Sequence, residues 1–209
     1  MGIYSDKILP FFYDFSMGRE YINEGRKRLL SKVEGKVLEI GFGTGLNLSF
    51  YPDSIKKITT VDKNPGMNKY ALKKIKNSSL KIENYILNSE ELPFENDSFD
   101  SVVSTYTLCS IENVESALNE IHRVLKRGGK FFFLEHGLAD NPKLQKWQHR
   151  LNKFQNIWAD GCNLNRDIKK LISNAGFTFK VLNTYYQRED QKILSFMYEG
   201  IAIKGDIIA

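Results

Sequence analysis

Apolar residues fall along this chain in two rhythms, and the alternation between them predicts an α/β architecture. Short apolar runs bounded by glycine, proline or charge read as strands: 37–40, 58–61, 80–87, 100–104 and 130–134, then 177–186 and 193–204. Between them lie stretches whose apolar residues recur at steps of three and four, which read as helices. One covers 18–32, with Tyr21, Ile22, Leu29 and Leu30 on its core face, and others cover 65–76 and 113–126. Leu46 to Tyr51 reads as the start of a further helix. Asp140-Asn141-Pro142 supplies a cap and a first-turn proline for a helix that places Leu144, Trp147, Leu151, Phe154 and Trp158 on one stripe. That stripe is expected to pack on the domain, with a membrane-surface or substrate-roof role as the sharper alternative. Asn163 or Asn165 is expected to cap the next helix, which Gly176 ends.

The first strand carries the densest chemistry. Val37-Leu38-Glu39-Ile40 breaks into Gly41-Phe42-Gly43-Thr44-Gly45. Glycine at alternate positions lets the backbone turn sharply and approach a ligand with no Cβ in the way. A helix starting at Leu46 would aim its unpaired N–H groups at the same spot and favour a carboxylate-bearing ligand. The dinucleotide fingerprint needs a third glycine where Leu46 stands, which disfavours a dehydrogenase. Asp62, 17 residues after Gly45 and followed by Lys63, stands at the end of the second strand, where an acid can accept hydrogen bonds from both ribose hydroxyls. Its other reading is a cap for the helix that begins at Pro65.

Glu39-x-Gly41-x-Gly43-x-Gly45 resembles the motif of class I S-adenosylmethionine-dependent methyltransferases, and further phrases stand in register with it. The run from Asn88-Ser89-Glu90 to Leu92-Pro93-Phe94 and Ser98-Phe99-Asp100 resembles that family's second motif, with Asn88 where an Asp is usual. An amide oxygen still accepts a hydrogen bond from an adenine amino group. Arg123 to Gly129 is another family phrase. The string Asp160-Gly161-Cys162-Asn163-Leu164-Asn165-Arg166, with Glu135-His136 and Trp147-Gln148, resembles the methyltransferase-like family whose animal members methylate alkyl thiols and attach to endoplasmic reticulum and lipid droplets. The resemblance spans about residues 36 to 203.

It implies a seven-stranded Rossmann-like sheet with helices on both faces and the last strand antiparallel. It also implies S-adenosyl-L-methionine as cofactor, S-adenosyl-L-homocysteine as product, and a single domain over 1–209. Within that domain 1–34 would be a helical lid segment, 35–137 the cofactor-binding core, and 138–209 the acceptor-side helices and closing strands. Glu39, Gly41, Phe42, Gly43, Gly45, Asp62 and Lys63 would hold the amino-acid and ribose portions. Met67, Asn88, Ser89 and Glu90 would flank adenine, and Thr105 would border the methyl centre. His136 at a strand end, with Tyr13 and Asp160, would orient or deprotonate the acceptor; a structural histidine is the other reading of His136.

Composition narrows the partners. The chain has 209 residues and a net charge of +5 from scattered Lys and Arg, which read as solvated helix faces. Thr105 to Cys109 offers neither the Pro-Pro-aromatic phrase nor the Pro-linked nucleophilic cysteine of the enzymes that methylate DNA bases, so no nucleic-acid partner is expected. No window reaches the length of a membrane span, no signal peptide is visible, and Asp6 breaks a myristoylation motif at Met1-Gly2. The animal family's anchoring stretch does not stand in this sequence either, and a cytoplasmic location is expected, with peripheral membrane contact as an option. Two cysteines, Cys109 and Cys162, are too few for a disulfide framework or a four-ligand zinc site, so reduced thiols and no metal are expected. His122 and His149 read as surface. Tyr4, Ile8, Leu9, Phe11, Phe12, Tyr13 and Phe15 make the start of the chain apolar enough to pack on the core or to cover an apolar acceptor. The expected function is therefore methyl transfer to a small, apolar acceptor, a thiol first, a phospholipid amine or quinone precursor second. The alternative of another class is a non-catalytic cofactor-binding partner subunit.

Overall fold

The computed structural model describes residues 9–205, so Tyr4, Ile8 and the Met1-Gly2 start lie outside the described residues. Seven strands form one sheet: β1 (Val37–Ile40), β2 (Lys57–Asp62), β3 (Lys81–Ile86), β4 (Phe99–Thr105), β5 (Leu125–His136), β6 (Phe177–Tyr186) and β7 (Phe196–Lys204). Their order is β3-β2-β1-β4-β5-β7-β6. The neighbouring strands from β3 through β5 pair parallel, and β7 runs antiparallel to both β5 and β6. The helices are α1 (Leu9–Met17), α2 (Glu20–Leu30), α3 (Pro65–Lys76), α4 (Val114–Val124), α5 (Pro142–Trp158) and α6 (Ile168–Asn174).

Both faces of the sheet are covered, and the strand sequences state why. Successive residues of a strand point to opposite faces. In β5, Phe131 and Phe133 enter one core with Leu118 and Ile121 of α4 and Ile168 and Ile172 of α6. Phe132 and Leu134 enter the other with Leu29 and Leu30 of α2. A strand buried on both faces reads as a near-continuous apolar run, which is what the centre of β5 displays; β1 departs from it only at the buried, hydrogen-bonded Glu39.

Several expectations change. Leu46–Phe50 is a five-residue 3₁₀ turn, not a helix. Asn47 is buried there and turns its amide to Glu39 and Thr105, and Tyr51 precedes Pro52 in an extended conformation that stops any helix. No helix N-terminus therefore faces the glycine loop from this side. Asp167, not Asn163 or Asn165, caps α6 by accepting from Lys170 N. His122 is half-buried edge-on against Phe177, with ring centroids 5.0 Å apart, and burial lowers its pKa, whereas His149 is exposed. The α5 stripe is largely uncovered: Leu144 packs on the core, but Trp147, Phe154 and Trp158 are 51%, 63% and 62% exposed.

Candidate active site

The cleft opens at the carboxyl ends of β1, β2 and β4, where the order departs from β1 in two directions. Such a switch point is where open α/β sheets bind ligands. Its empty volume is about 1020 Å³, open solvent at the mouth included. Tyr13, Gly41, Phe42, Gly43, Asp62, Lys63, Met67, Asn88, Ser89, Thr105 and Asp160 all stand on its wall, drawn from seven separate stretches of chain. Glu39, Gly45, Glu90 and His136 do not.

Each glycine of the turn does a different job. Gly41 has φ +71°, and a Cβ there would lie 2.1 Å from the Thr107 side chain, so it permits the β1 and β4 ends to close together. Gly43, at φ +57°, would place a Cβ in open space, with nothing nearer than 3.9 Å. It therefore leaves backbone, not side chain, facing the cleft. Gly45 caps the 3₁₀ turn at φ 77° and sits against Phe42. Across the lip, Asp62 Oδ2 accepts from Gly43 N at 2.7 Å and Oδ1 accepts from Asn64 N at 2.8 Å. Asp62 does not cap α3; Asn64 does, accepting from Gly66 N and Met67 N. Burial raises the Asp62 pKa against these two bonds.

Glu39 lies beneath the cleft. It is 1% exposed, and its carboxylate accepts from Asn47 Nδ2 at 2.9 Å and Tyr51 Oη at 2.7 Å. It thus props the turn and Asn47, which is on the wall, from below. Burial pushes its pKa up to about 7. An acid raised in the fold binds its proton more tightly folded than unfolded, so this group's contribution is most favourable below about 4.5 and is lost as pH rises through about 7. Glu39→Gln keeps an acceptor for Asn47 and offers an N–H to Tyr51, whose hydroxyl turns from donor to acceptor. It should flatten the fall in thermal stability between those pH values by of order 3 kcal/mol; an unchanged slope in melting curves across that range would contradict the assignment.

At the far end of the cleft Met67 and Ser89 are each 8% exposed. Asn88 spends its side-chain oxygen on Glu90 N at 3.2 Å, forming a local turn that keeps its remaining lone pair and amide at the wall. Glu90 points away, and its carboxylate accepts from Asn113 N at 3.1 Å, tying this loop to the start of α4.

Three features escaped sequence reasoning. Arg26 of α2 is 3% exposed and stands on the wall. It donates to Met17 O at 2.6 Å and Asn23 Oδ1 at 3.1 Å and lies 5.4 Å over the Tyr106 ring, yet its Nε has no hydrogen-bond partner. Asp14 accepts from Thr44 Oγ1 at 2.7 Å and pairs with Lys74, so α1 is fastened to the glycine loop and to α3 while Tyr13 and Met17 roof the cleft. Glu135, fully buried, accepts from Ser104 Oγ at 2.8 Å, Thr107 N at 2.9 Å and Leu108 N at 3.1 Å. Arg166 donates to the carbonyl oxygens of Leu108 and, at 2.6 Å, Ile111. Between them these two side chains set the loop after β4 that carries Thr105 to Ile111. Burial, with Cys109 beside it, pushes the Glu135 carboxyl up to about 8.

His136 is turned from the cleft wall. Its Nε2 lies 3.1 Å from Cys162 Sγ, and the Cys109 charge beside it holds the imidazole above its ordinary pKa although burial opposes this. Asp160, at φ 47° in the turn after α5, is with Asp62 one of the two acids on the wall, in the same lining as Ser110 and Tyr13.

The wall suits S-adenosylmethionine on its own chemistry. An open cradle at Gly43 would admit a ligand main chain, a carboxylate at the β2 end would suit hydroxyls, an apolar Met67 would suit an aromatic ring, and the Arg26 guanidinium would add positive charge for an anion.

A family model described as a methyltransferase domain matches residues 38–133. The human thiol S-methyltransferase TMT1A is 38% identical over 146 residues, covering 68% of this chain and 59% of that protein, so the chain spans somewhat over half of that relative's length. Phosphatidylethanolamine N-methyltransferase of Cereibacter sphaeroides is 30% identical over 150 residues, 69% of this chain and 72% of that protein. Geranyl diphosphate methyltransferase, solved in complex with S-adenosylmethionine, superposes with a TM-score of 0.69 at 14% identity, over 87% of this chain and 83% of that one. With the sheet order, the glycine loop and these relatives in agreement, the chain belongs to the class I S-adenosylmethionine-dependent methyltransferases and has a thiol S-methyltransferase among its homologues.

Proposed function

We propose that this protein transfers a methyl group from S-adenosylmethionine to the sulfur of a small apolar thiol. The observation that carries the reading is the cleft itself, in which the Gly43 lip and Asp62 share one wall with Tyr13, Met17, Tyr106 and Ile111, so a cofactor site runs into an apolar acceptor end. The similarity to a thiol S-methyltransferase supports sulfur as the acceptor atom.

The cofactor supplies a methyl group already activated on a sulfonium, whose carbon–sulfur electron pair leaves with S-adenosylhomocysteine as the acceptor sulfur bonds the methyl carbon. The chain's own work is holding, aligning and drying. Asp62, Met67 and Ser89 would hold the nucleoside over the side-chain-free Gly43 backbone, and Arg26 would meet the amino-acid carboxylate. Thr105, fixed by Asn47 Nδ2 at 3.0 Å, borders the reacting carbon. Tyr13 and Met17 on α1, fastened through Asp14, exclude water from the acceptor end. Asp160 receives the thiol proton directly or through water; His136 lies behind the wall, paired with Cys162. Arg26→Ala should raise the cofactor Kd about tenfold or more, in keeping with the loss of one charged hydrogen bond; an unchanged calorimetric Kd would remove Arg26 from the site.

Offered alkyl thiols, phospholipid amines and quinone precursors side by side, the purified protein should release S-adenosylhomocysteine with thiols. Turnover confined to an amine would transfer the reading to the phospholipid class.

Exposed apolar side chains stand on α1, which lends Tyr13 and Met17 to the wall, and on α5, which leads into Asp160. Phe11, Phe12 and Phe15 on α1 and Phe154, Ile157 and Trp158 on α5 are uncovered, and exposed Lys146, Arg150 and Lys153 accompany them. Together they support a cleft mouth that rests on a lipid surface and admits apolar acceptors from it. Phe154→Ser with Trp158→Ser should reduce co-sedimentation with anionic phosphatidylserine vesicles at least severalfold; retention unchanged by the pair would exclude α5 from the contact.

A further inference from the structure

Next to the Ser110 side of the cleft wall, three soft donor groups converge that neither end of the cleft uses. Cys109 from the β4–α4 connection, His136 at the end of β5 and Cys162 from the α5–α6 connection bring one ligand atom each to within 4.8 Å of one another. Both cysteines are buried free thiols. The assembly is held from outside its own side chains. Asn163, next to Cys162, donates its backbone N–H and its Nδ2 to Cys109 O at 2.9 and 3.0 Å, which staples the two cysteine loops together. Glu135, next to His136, receives the N–H groups of Thr107 and Leu108 just before Cys109. Two further polar groups address the sulfurs: Ser110 Oγ lies 3.4 Å from Cys109 Sγ and Gln155 Nε2 lies 3.9 Å from Cys162 Sγ. An ordinary apolar core has no use for such an arrangement.

We propose that Cys109 Sγ, His136 Nε2 and Cys162 Sγ form a binding site for one thiophilic divalent cation of the zinc class, with a fourth coordination position left open. Thiolate and imidazole are the donors such an ion selects. Tetrahedral coordination at ordinary zinc–sulfur and zinc–nitrogen lengths separates ligand atoms by roughly 3.5–3.8 Å. The present spacings, from 3.1 Å between His136 and Cys162 up to the 4.8 Å limit, reach that by side-chain shifts of about 1 Å or less. Two thiolates would neutralise the ion, which suits a buried position. Two thiolates and one imidazole with an exchangeable fourth place is the ligand count of reactive zinc sites, whereas purely structural sites close all four positions. The three ligands lie 27 and 26 residues apart on separate elements, so no local cysteine–histidine spacing announces them.

The functional consequence rests on the thiol reading given above. Ser110, in contact with Cys109, is on the cleft wall with Asp160, so an acceptor thiol taking the fourth position would pass its proton to Asp160, directly or through water, and present a thiolate toward the cleft. Metal binding is measured without any acceptor, so failure of one reading leaves the other testable.

The test is titration of the reduced, full-length protein with Co²⁺ and then Zn²⁺. One equivalent of cobalt should bind with thiolate-to-cobalt charge-transfer bands and tetrahedral d–d bands, and zinc should bleach them stoichiometrically. Cys162→Ser should lose a large part of the charge-transfer intensity, and His136→Ala should weaken cobalt binding at least tenfold, with cofactor calorimetry verifying that each variant is folded. In the unaltered protein, zinc should slow alkylation of both thiols by iodoacetamide at least tenfold. Absence of charge-transfer bands with both thiols assayed as reduced would overturn the proposal, as would alkylation rates indifferent to zinc or bands that persist in the Cys109→Ser, Cys162→Ser double variant.

Discussion

Gly41→Ala should destabilise the protein by about 3 kcal/mol or more. Two costs combine there. The residue has φ +71°, a region that an L side chain enters at a cost of roughly 1–2 kcal/mol. Its new Cβ would also stand 2.1 Å from both branches of the Thr107 side chain. Thr107 has nowhere to go, because its N–H is held by Glu135 at 2.9 Å and its Oγ1 donates to Thr105 O at 3.0 Å. Gly128→Ala isolates the first cost, since that glycine has φ +70° with nothing within 4 Å of a Cβ. In thermal unfolding the Gly41 variant should melt some 6–12 °C below the parent, and the Gly128 variant no more than about half as far. Equal shifts would mean that conformation alone matters and that the β1–β4 closure is not tight.

The second large effect falls on the cofactor. Asp62→Ala should weaken S-adenosylmethionine binding about 100-fold, equivalent to some 2.7 kcal/mol, as expected when an ionised acceptor for two hydroxyls is lost. Asp62 also organises the lip through Gly43 N at 2.7 Å and Asn64 N at 2.8 Å, so the alanine variant mixes two losses. Asp62→Asn separates them by keeping an acceptor for one N–H while removing the charge. It should hold the melting temperature near the parent's and still raise the calorimetric Kd at least tenfold. A Kd within about threefold of the parent in the folded Asn variant would place the ribose elsewhere.

What the sequence revealed and what it hid follow from the range over which each feature is encoded. The glycine loop is local: spacing at Gly41, Gly43 and Gly45 and the acid at Asp62 lie within one strand–turn–strand unit, and the structure puts the loop and Asp62 on opposite sides of one lip. The strands were equally legible, because burial on both faces forces unbroken apolar runs such as Phe131 to Leu134. Glu39 was legible as special but not as to its place, since only the structure has it beneath the wall with Asn47 and Tyr51. Leu46 to Phe50 looked helical because pattern alone does not register that Asn47 would be drawn inward. Arg26, Glu135 and Arg166 went unseen as site-builders because their partners are distant in sequence: Arg26 lies over Tyr106, and Arg166 reaches Leu108 and Ile111. The α5 stripe misled in the opposite direction, for an apolar face has the same spacing whether a core or a surface ligand covers it. The convergence of Cys109, His136 and Cys162 had no sequence signal at all, coming from three elements joined only by the fold.

The most direct test of the central claim is single-substrate methyl transfer with isotopically labelled S-adenosylmethionine and a simple alkyl thiol. The account predicts that label appears in the methyl thioether in one-to-one proportion with S-adenosylhomocysteine, and that both fall together in Asp62→Asn. Label remaining wholly in the cofactor, in protein shown by calorimetry to bind it and offered the thiol at saturating concentration, would contradict the account and leave a methyltransferase fold whose acceptor is not a thiol.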